Sequence, residues 1–292
     1  MNVVSGAPHI VTRFAPSPTG KLHIGHAWSA LMAHDLAREN GGQFRLRIED
    51  IDGTRSRTAH ADAILEDLRW IGLDWDGEVF FQSQRLPIYN AGLDRLKAAG
   101  LVYPCFCTRA DIAASLSAPH GPEGSLYPGT CRQLAEAERS ARLEKEAHAW
   151  RIDMAKAVTL AGALTWNDMD AGTITADPLA AGDVILARKD APTSYHLAAT
   201  LDDADMGITH VVRGQDLFAA THVHRLLQAL LDLPTPFYRH HRLLLGPDGK
   251  RLAKRHGGLT LADLRAGGVD PGQLVADLRR GVFPVGICVG NA

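Results

Sequence analysis

The sequence predicts an α/β fold built on a parallel sheet and interrupted by a smaller inserted region. Three observations predict it. The first 50 residues alternate strand, loop, helix and strand. The texture changes at Tyr103: residues 104 to 133 are rich in Gly, Pro, Ser and Cys. The apolar α/β pattern then returns from Ile208 onward. A strand that feeds through a helix into a second strand is a crossover unit, and it sets the two strands parallel.

The elements follow in order. Ile10 to Phe14 (I-V-T-R-F) reads as a short buried strand. A loop with Pro16, Pro18 and Gly20 comes next, then a helix from Ile24 to Asn40 with Ile24, Ala27, Leu31 and Leu36 near helical spacing. Gly41-Gly42 stops it. Gln43 to Ile48 (Q-F-R-L-R-I) alternates as a second strand. Ala61 to Ile71 and Tyr89 to Ala99 read as helices. Residues 104 to about 190 read as an insertion, with a charged helix from Gln133 to Ala149 and short strands at 150–153 and 184–188. Ile208 to Val212 is a strand, Thr221 to Leu231 a helix, and the last 40 or so residues are helical with basic patches. The ending F-P-V-G-I-C-V-G-N-A fits no helical pattern.

Composition bounds the function. The chain has 292 residues, 46% of them apolar, enough for a sizeable core. Net charge is −2, which disfavours indiscriminate nucleic-acid binding but leaves room for a local basic zone. Such a zone is expected at Arg239, His240, His241 and Arg242 with Lys250, Arg251, Lys254 and Arg255. Met1 to Pro8 lacks the pattern of a signal peptide, and no apolar run approaches membrane-spanning length, so a cytoplasmic protein is expected. Four cysteines are too few for a disulfide scaffold. Three cluster, at Cys105, Cys107 and Cys131, and suggest a metal; Cys288 stands alone as a small hydrophobe or spare thiol.

The proline-rich loop carries the chemistry. Pro16 and Pro18 fix the backbone and remove two donors, while Gly20 permits conformations other residues resist. Behind it the helix offers free N–H groups and a positive dipole end, which suits phosphate. His23 and His26 fall on one face of its first turn. An isolated H-x-x-H is more often a pair of surface or capping histidines, but the strand and rigid loop before it favour the phosphate reading. Neither G-x-x-x-x-G-K-[ST] nor G-x-G-x-x-G in a crossover unit occurs, so a P-loop kinase or a dinucleotide dehydrogenase is unsupported.

R-F-A-P-S-P-T-G-K-L-H-I-G-H, ending at His26, resembles the "HIGH" signature of class I aminoacyl-tRNA synthetases, in the wording of the glutamyl/glutaminyl branch. G-P-D-G-K-R-L-A-K-R-H-G, Gly246 to Gly257, resembles the partner K-M-S-K-S loop, with Lys254 as the ATP-contacting lysine, Arg251 for the first lysine and Ala253 for the serine. Y-H-L-A-A-T-L-D-D from Tyr195 and V-V-R-G-Q-D-L from Val211 are similar to this family too. The resemblance implies a Rossmann-type catalytic domain in residues 1–103 and 191–250, an inserted α+β zinc-bearing acceptor-binding-like domain in 104–190, and a K-M-S-K-S-like loop with a short helical region in 251–292. It implies ATP bound by His23, Gly25, His26 and Lys254, with Mg²⁺, and catalysis by His23, His26 and Lys254. It places glutamate among Arg13, Phe14, Ala15, Pro16, Ser17, Glu49, Tyr195 and Arg213. That is chemically coherent: a substrate with two carboxylates wants arginines, and Glu49 can hold an ammonium group. Asp50, Asp52 and Gly53 lack the remaining ligands of a calcium loop and read as turn residues.

Three thiols leave a fourth zinc ligand open, His120 or Tyr127. Ligand chemistry alone favours His120. The resemblance to short glutamyl-synthetase relatives with C-x-C…Y-x-x-x-C implies one structural zinc on Cys105, Cys107, Tyr127 and Cys131.

Only a short stretch follows Lys254, where a full glutamyl-tRNA synthetase carries an anticodon-binding region. The glutamyl-Q tRNA(Asp) synthetases have that short architecture. The resemblance to them implies tRNA-independent activation of glutamate and its transfer onto queuosine in tRNA(Asp), by a protein expected to be a monomer. Two alternatives stay open: a glutamyl-tRNA synthetase fragment that charges a 3′ end, and a catalytically silent RNA-binding paralogue.

Overall fold

The computed structural model describes residues 9–51, 58–108, 111, 126–250, 252 and 260–290. Strands β1 (Val11–Phe14) and β2 (Gln43–Ile48) run parallel, with Val11 opposite Gln43. Helix α1 (Ile24–Glu39) makes the crossover. The chain turns back at Gly41, where φ is +63°, and at Gly42, where any Cβ would collide with the Ile10 carbonyl oxygen. Helix α2 (Thr58–Trp70) leads to β3 (Phe80–Phe81), which pairs parallel with β2. Helix α3 (Leu86–Ala98) follows.

The chain then leaves the main sheet. Strand β4 (Val102–Cys105), helix α4 (Glu136–Leu143), strand β5 (Ala149–Ile152) and helix α5 (Met154–Ala161) come next. A hairpin of β6 (Thr165–Asp168) and β7 (Gly172–Thr175) precedes β8 (Ile185–Ala187). Strands β4, β5 and β8 form a small antiparallel sheet, while the hairpin pairs elsewhere. The charged helix expected over 133–149 is shorter, ending at Leu143. The reason is tertiary: Ala149 enters the ladder opposite Cys105, so the residues before it must extend.

The α/β pattern resumes with α6 (Tyr195–Asp205), β9 (His210–Gly214), α7 (Phe218–Leu230) and β10 (Phe237–His241). Strand β10 runs parallel to β9 on one side and meets β6 on the other, Tyr238 opposite Asp168. The first sheet, all parallel, and the second, parallel but for the β6–β7 hairpin, meet edge to edge at β1 and β9. There the Thr209 amide donates to the Val11 oxygen at 3.0 Å and its hydroxyl accepts from the Val11 amide at 2.8 Å. Further along, the Val212 oxygen is met by the Arg13 guanidinium at 3.2 Å rather than by β1 backbone. A crevice opens beyond the strand ends, where ligands bind in such sheets.

Strand β11 (Leu244–Leu245) and helices α8 (Leu261–Ala266) and α9 (Pro271–Arg279) close the chain with β12 (Cys288–Val289). The ending that fits no helix is this strand, antiparallel to β11. One core lies under α1, β2 and α2, reaching α8 and α9; a second joins α3, α5, α6 and α7. No helix among the described residues is long and apolar enough to cross a membrane.

Candidate active site

The loop after β1 and the start of α1 form one wall of the crevice. His23 is the N-cap of α1, and its Nδ1 accepts the Gly25 amide at 3.1 Å. The His26 Nδ1 accepts the His23 amide at 3.1 Å. Two histidines thus build the reciprocal cap that Ser or Thr with Glu usually makes. Because both Nδ1 atoms accept, both rings in their neutral form carry their proton on Nε2, as donors. The rings lie 3.8 Å apart between centroids. Gly25 makes this possible: a Cβ there would sit 3.0 Å from His23 Cε1 and 3.2 Å from Nδ1.

A cavity of about 430 Å³ sits against this wall. Its lining includes Arg13, Phe14, Ala15, Pro16, Ser17, His23, Gly25, His26, Glu49, Tyr195 and Arg213. All of the expected glutamate residues, and all of the expected ATP residues but one, are brought together. The exception, Lys254, lies outside the described residues, as do Arg251, Ala253 and Arg255. Leu252 lines the cavity, and Thr260 bridges to His23.

Beneath the cavity is a buried ionic cluster. Asp203 on α6 takes Arg13 Nε at 3.0 Å and Arg47 Nη1 at 2.6 Å. Arg47 also donates to Glu49 at 3.0 Å. Two cations thus balance two anions. Asp203 lies deep, yet Arg13 and Arg47 overcome the burial penalty and hold its pKa at about 2. Burial pushes Glu49 up, against the pull of Arg47. The neighbouring Asp202 is satisfied by Gln82, Arg85 and the Tyr89 hydroxyl.

Arg213 is built differently. It donates from Nε to His240 Nε2 (3.1 Å), from Nη1 to the Tyr195 hydroxyl (3.1 Å) and His224 Nδ1 (3.3 Å), and from Nη2 to Thr221 Oγ1 (2.6 Å). Burial, then the Arg213 charge, keeps both imidazoles neutral: His240 falls to about 4, and His224 well below the usual range. Also lining the cavity, Trp28 packs edge-on against His241, whose Nε2 meets Ser29 Oγ at 2.9 Å.

Sequence reasoning missed Asp203, Arg47, Asp168 and His240 as members of this site. Alternation in Q-F-R-L-R-I puts Arg47 outward, but α6 covers that face and Arg47 is fully buried. The available signal was the adjacent pair Asp202-Asp203, directly after the apolar stretch Leu197–Leu201 that only Thr200 interrupts. The expected basic zone also needs correction. His241 and the side chain of His240 are buried, the latter against Asp168 of β6, while Arg242 and Lys250 stay exposed. Asp50 accepts from the Ser83 amide and hydroxyl, as a turn acid does; Asp52 and Gly53 lie outside the described residues.

The cysteines converge. The Sγ atoms of Cys105, Cys107 and Cys131 all lie within 4.8 Å of one another. Cys107 and Cys131 are 3.5 Å apart, close to the roughly 3.8 Å edge of a tetrahedral zinc–thiolate site. The Tyr127 hydroxyl stands 3.8 Å from Cys107 Sγ and takes the Cys131 amide at 2.8 Å. This donor set fits a structural metal. His120 lies outside the described residues.

Fold and site together define a class. The family description "tRNA synthetases class I (E and Q), catalytic domain" matches residues 9–287, and the chain belongs to that family. Membership is consistent with an ATP-dependent ligase. Several relatives at 41–47% identity over most of the chain are named glutamyl-Q tRNA(Asp) synthetase. One, from Rhodobacter capsulatus, is 47% identical over 93% of this chain and 99% of its own length. A glutamate–tRNA ligase from Oleidesulfovibrio alaskensis is 41% identical over 93% of this chain and 56% of its own. The crystal structure of glutamate-tRNA synthetase from Elizabethkingia anophelis superposes with a TM-score of 0.79 at 30% identity, covering 92% of this chain. The chain spans 61% of that protein's length.

Proposed function

We propose that this protein activates L-glutamate with ATP, without tRNA, and transfers the glutamyl group onto queuosine in the anticodon of tRNA(Asp). One observation carries the activation step: a single cavity holds Arg213 and Glu49, of opposite charge, beside the paired imidazoles of His23 and His26. A dicarboxylic amino acid matches that pattern, with a carboxylate toward Arg213 and its ammonium toward Glu49. The names of the relatives support queuosine as the acceptor.

In this mechanism the α-carboxylate oxygen of glutamate attacks the α-phosphorus of ATP. The new P–O bond forms as the bond to the β-phosphate oxygen breaks, and pyrophosphate leaves. No protein nucleophile is required. Arg13, Ser17, Glu49, Tyr195 and Arg213 orient the amino acid against Phe14, Ala15 and Pro16. The Nε2 protons of His23 and His26, with Lys254, stabilise charge that grows on the phosphates. Mg²⁺ bound with ATP supplies further neutralisation of the phosphate charge. Cys105, Cys107, Cys131 and Tyr127 would hold zinc as a structural cross-link. In this reading the catalytic domain comprises residues 1–103 and 191–250, the zinc-containing domain 104–190, and the lysine loop with the C-terminal region 251–292. The protein acts in the cytoplasm as a monomer.

Labelled glutamate and ATP, supplied with tRNA from normal cells and from cells unable to make queuosine, test the proposal. Labelling restricted to the queuosine-bearing pool supports it. Equal labelling of both pools means that a 3′ end is charged instead. No glutamate-dependent ATP–pyrophosphate exchange in folded protein would favour a silent paralogue.

A further inference from the structure

Arg213 poses an electrostatic problem. It is 5% exposed, and its four partners among the described residues are a phenol, a hydroxyl and two neutral imidazoles. None of them carries a negative charge. Arg13, in the same cavity, is by contrast already paired with Asp203. A buried cation without a paired anion is costly. A countercharge does exist, one ring away. His240 Nδ1 lies 2.7 Å from Asp168 Oδ2, and Asp168 is itself buried.

The geometry sets the proton positions. Arg213 Nε can only donate, so His240 Nε2 must accept, and the ring proton sits on Nδ1, facing Asp168. Asp168 is pinned in turn. Its Oδ1 accepts the amides of Asp170 at 2.9 Å and Ala171 at 3.0 Å in the β6–β7 turn, so Oδ2 is the oxygen left for His240. The imidazole works as a spacer. It brings a carboxylate near enough to steady the Arg213 charge but keeps it from pairing directly.

We propose that Asp168 is a positioning residue: through the Nδ1-protonated form of His240 it holds Arg213 buried, oriented and without a direct anionic partner, ready for the substrate's carboxylate. The identity of that anion rests on the glutamate reading of the cavity. The β6–β7 hairpin, which emerges from the region between the two halves of the main sheet, thereby takes part in setting substrate affinity.

The substitution Asp168→Asn tests this. Two short turn-amide bonds outweigh the single longer one from the His240 amide to Oδ2 (3.3 Å) and keep the amide oxygen of the new side chain on their side, so its NH₂ group faces His240. Nδ1 must then accept and the ring proton moves to Nε2; Thr221 Oγ1, 3.2 Å away, can take it, but the Arg213 Nε–H loses its acceptor and faces the ring N–H donor to donor. Nitrogen NMR of ¹⁵N-histidine-labelled full-length protein reads the tautomer directly, with the His240 signal assigned by its loss in His240→Gln. The expected result is Nδ1 protonation in the parent and Nε2 protonation in Asp168→Asn. In ATP–pyrophosphate exchange, KM for glutamate should rise about tenfold or more while KM for ATP moves little, since one charge-assisted contact is disturbed. The double variant Asp168→Asn/His240→Gln should recover part of that loss, because a glutamine oxygen can accept from Arg213 whatever stands at 168. An unchanged tautomer, or an unchanged KM for glutamate in folded Asp168→Asn, overturns the proposal. Absence of exchange in the parent protein would instead defeat the glutamate reading, and the tautomer measurement would still decide the role of Asp168.

Discussion

At the scale of the residue, the histidine pair shows how one short motif serves structure and chemistry together. Each Nδ1 satisfies a backbone amide that the start of α1 would otherwise leave open, and each Nε2 is thereby committed as a donor. Gly25 is the enabling position. In Gly25→Ala the added methyl would press on the His23 ring at 3.0 Å and turn it out of the cap. The loss of an aligned donor predicts a fall in glutamate-dependent exchange of about a hundredfold. The thermal midpoint should drop only a few degrees, since a lost cap costs about 1 kcal/mol. Exchange kinetics beside a melting curve check both, and parent-like exchange would mean that the His23 ring is not held by this contact.

At the scale of the element, the packing of α2 against α8 carries a titration. Asp67 on α2 is fully buried; its oxygens accept no hydrogen bond among the described residues, and Arg265 on α8 approaches only to 3.4 Å. Burial outweighs the pull of Arg265 and raises the Asp67 carboxyl to about 6. An unfolded aspartate titrates near 3.9. Between about pH 4 and 6 the folded state therefore binds the extra proton, so stability falls as pH rises through this window and levels off above it. Asp203, held at about 2, acts with the opposite sign and at lower pH: its stabilisation is present above about 4 and is lost as pH falls toward 2. Asp67→Asn should flatten the slope between pH 4 and 6. Urea midpoints at pH 4, 5, 6 and 7 would reveal it, and identical profiles for parent and variant would refute the assignment.

At the scale of the whole molecule, residues 102–187 are tied to the rest of the chain at several places, α5 among them, which shares a core with α3, α6 and α7. Strand β4 follows directly from α3, and the β6–β7 hairpin reaches the edge of the main sheet beside β10. The thiol cluster lies at the end of β4 and orders the segment around Tyr127 and Cys131. Metal binding to such a cluster is folding energy. We expect about one zinc per chain by elemental analysis. Cys107→Ser should lose it and lower the thermal midpoint by about 5 °C or more. A metal-free parent with the same midpoint as the variant would remove zinc from the account.

Much of the fold and half of the site could be read from the sequence, and the division follows sequence separation. The strands and helix of the crossover unit, the rigid loop and the histidine spacing are each local, so periodicity and turn chemistry within a few residues determined them, and the thiols, though 24 residues apart at Cys107 and Cys131, were marked by their residue type. Even the two walls of the cavity were legible, because each carries its own short motif. What the sequence left open was the pairing of buried charges. Asp203 meets Arg13 across 190 residues and Arg47 across 156, and Asp168 meets His240 across 72. Local patterning cannot specify such contacts. The tertiary structure chose them because an ion removed from water must find its counterion wherever the packed elements bring one within reach, and only the assembled fold brings α6 over β2 and the β6–β7 hairpin beside β10.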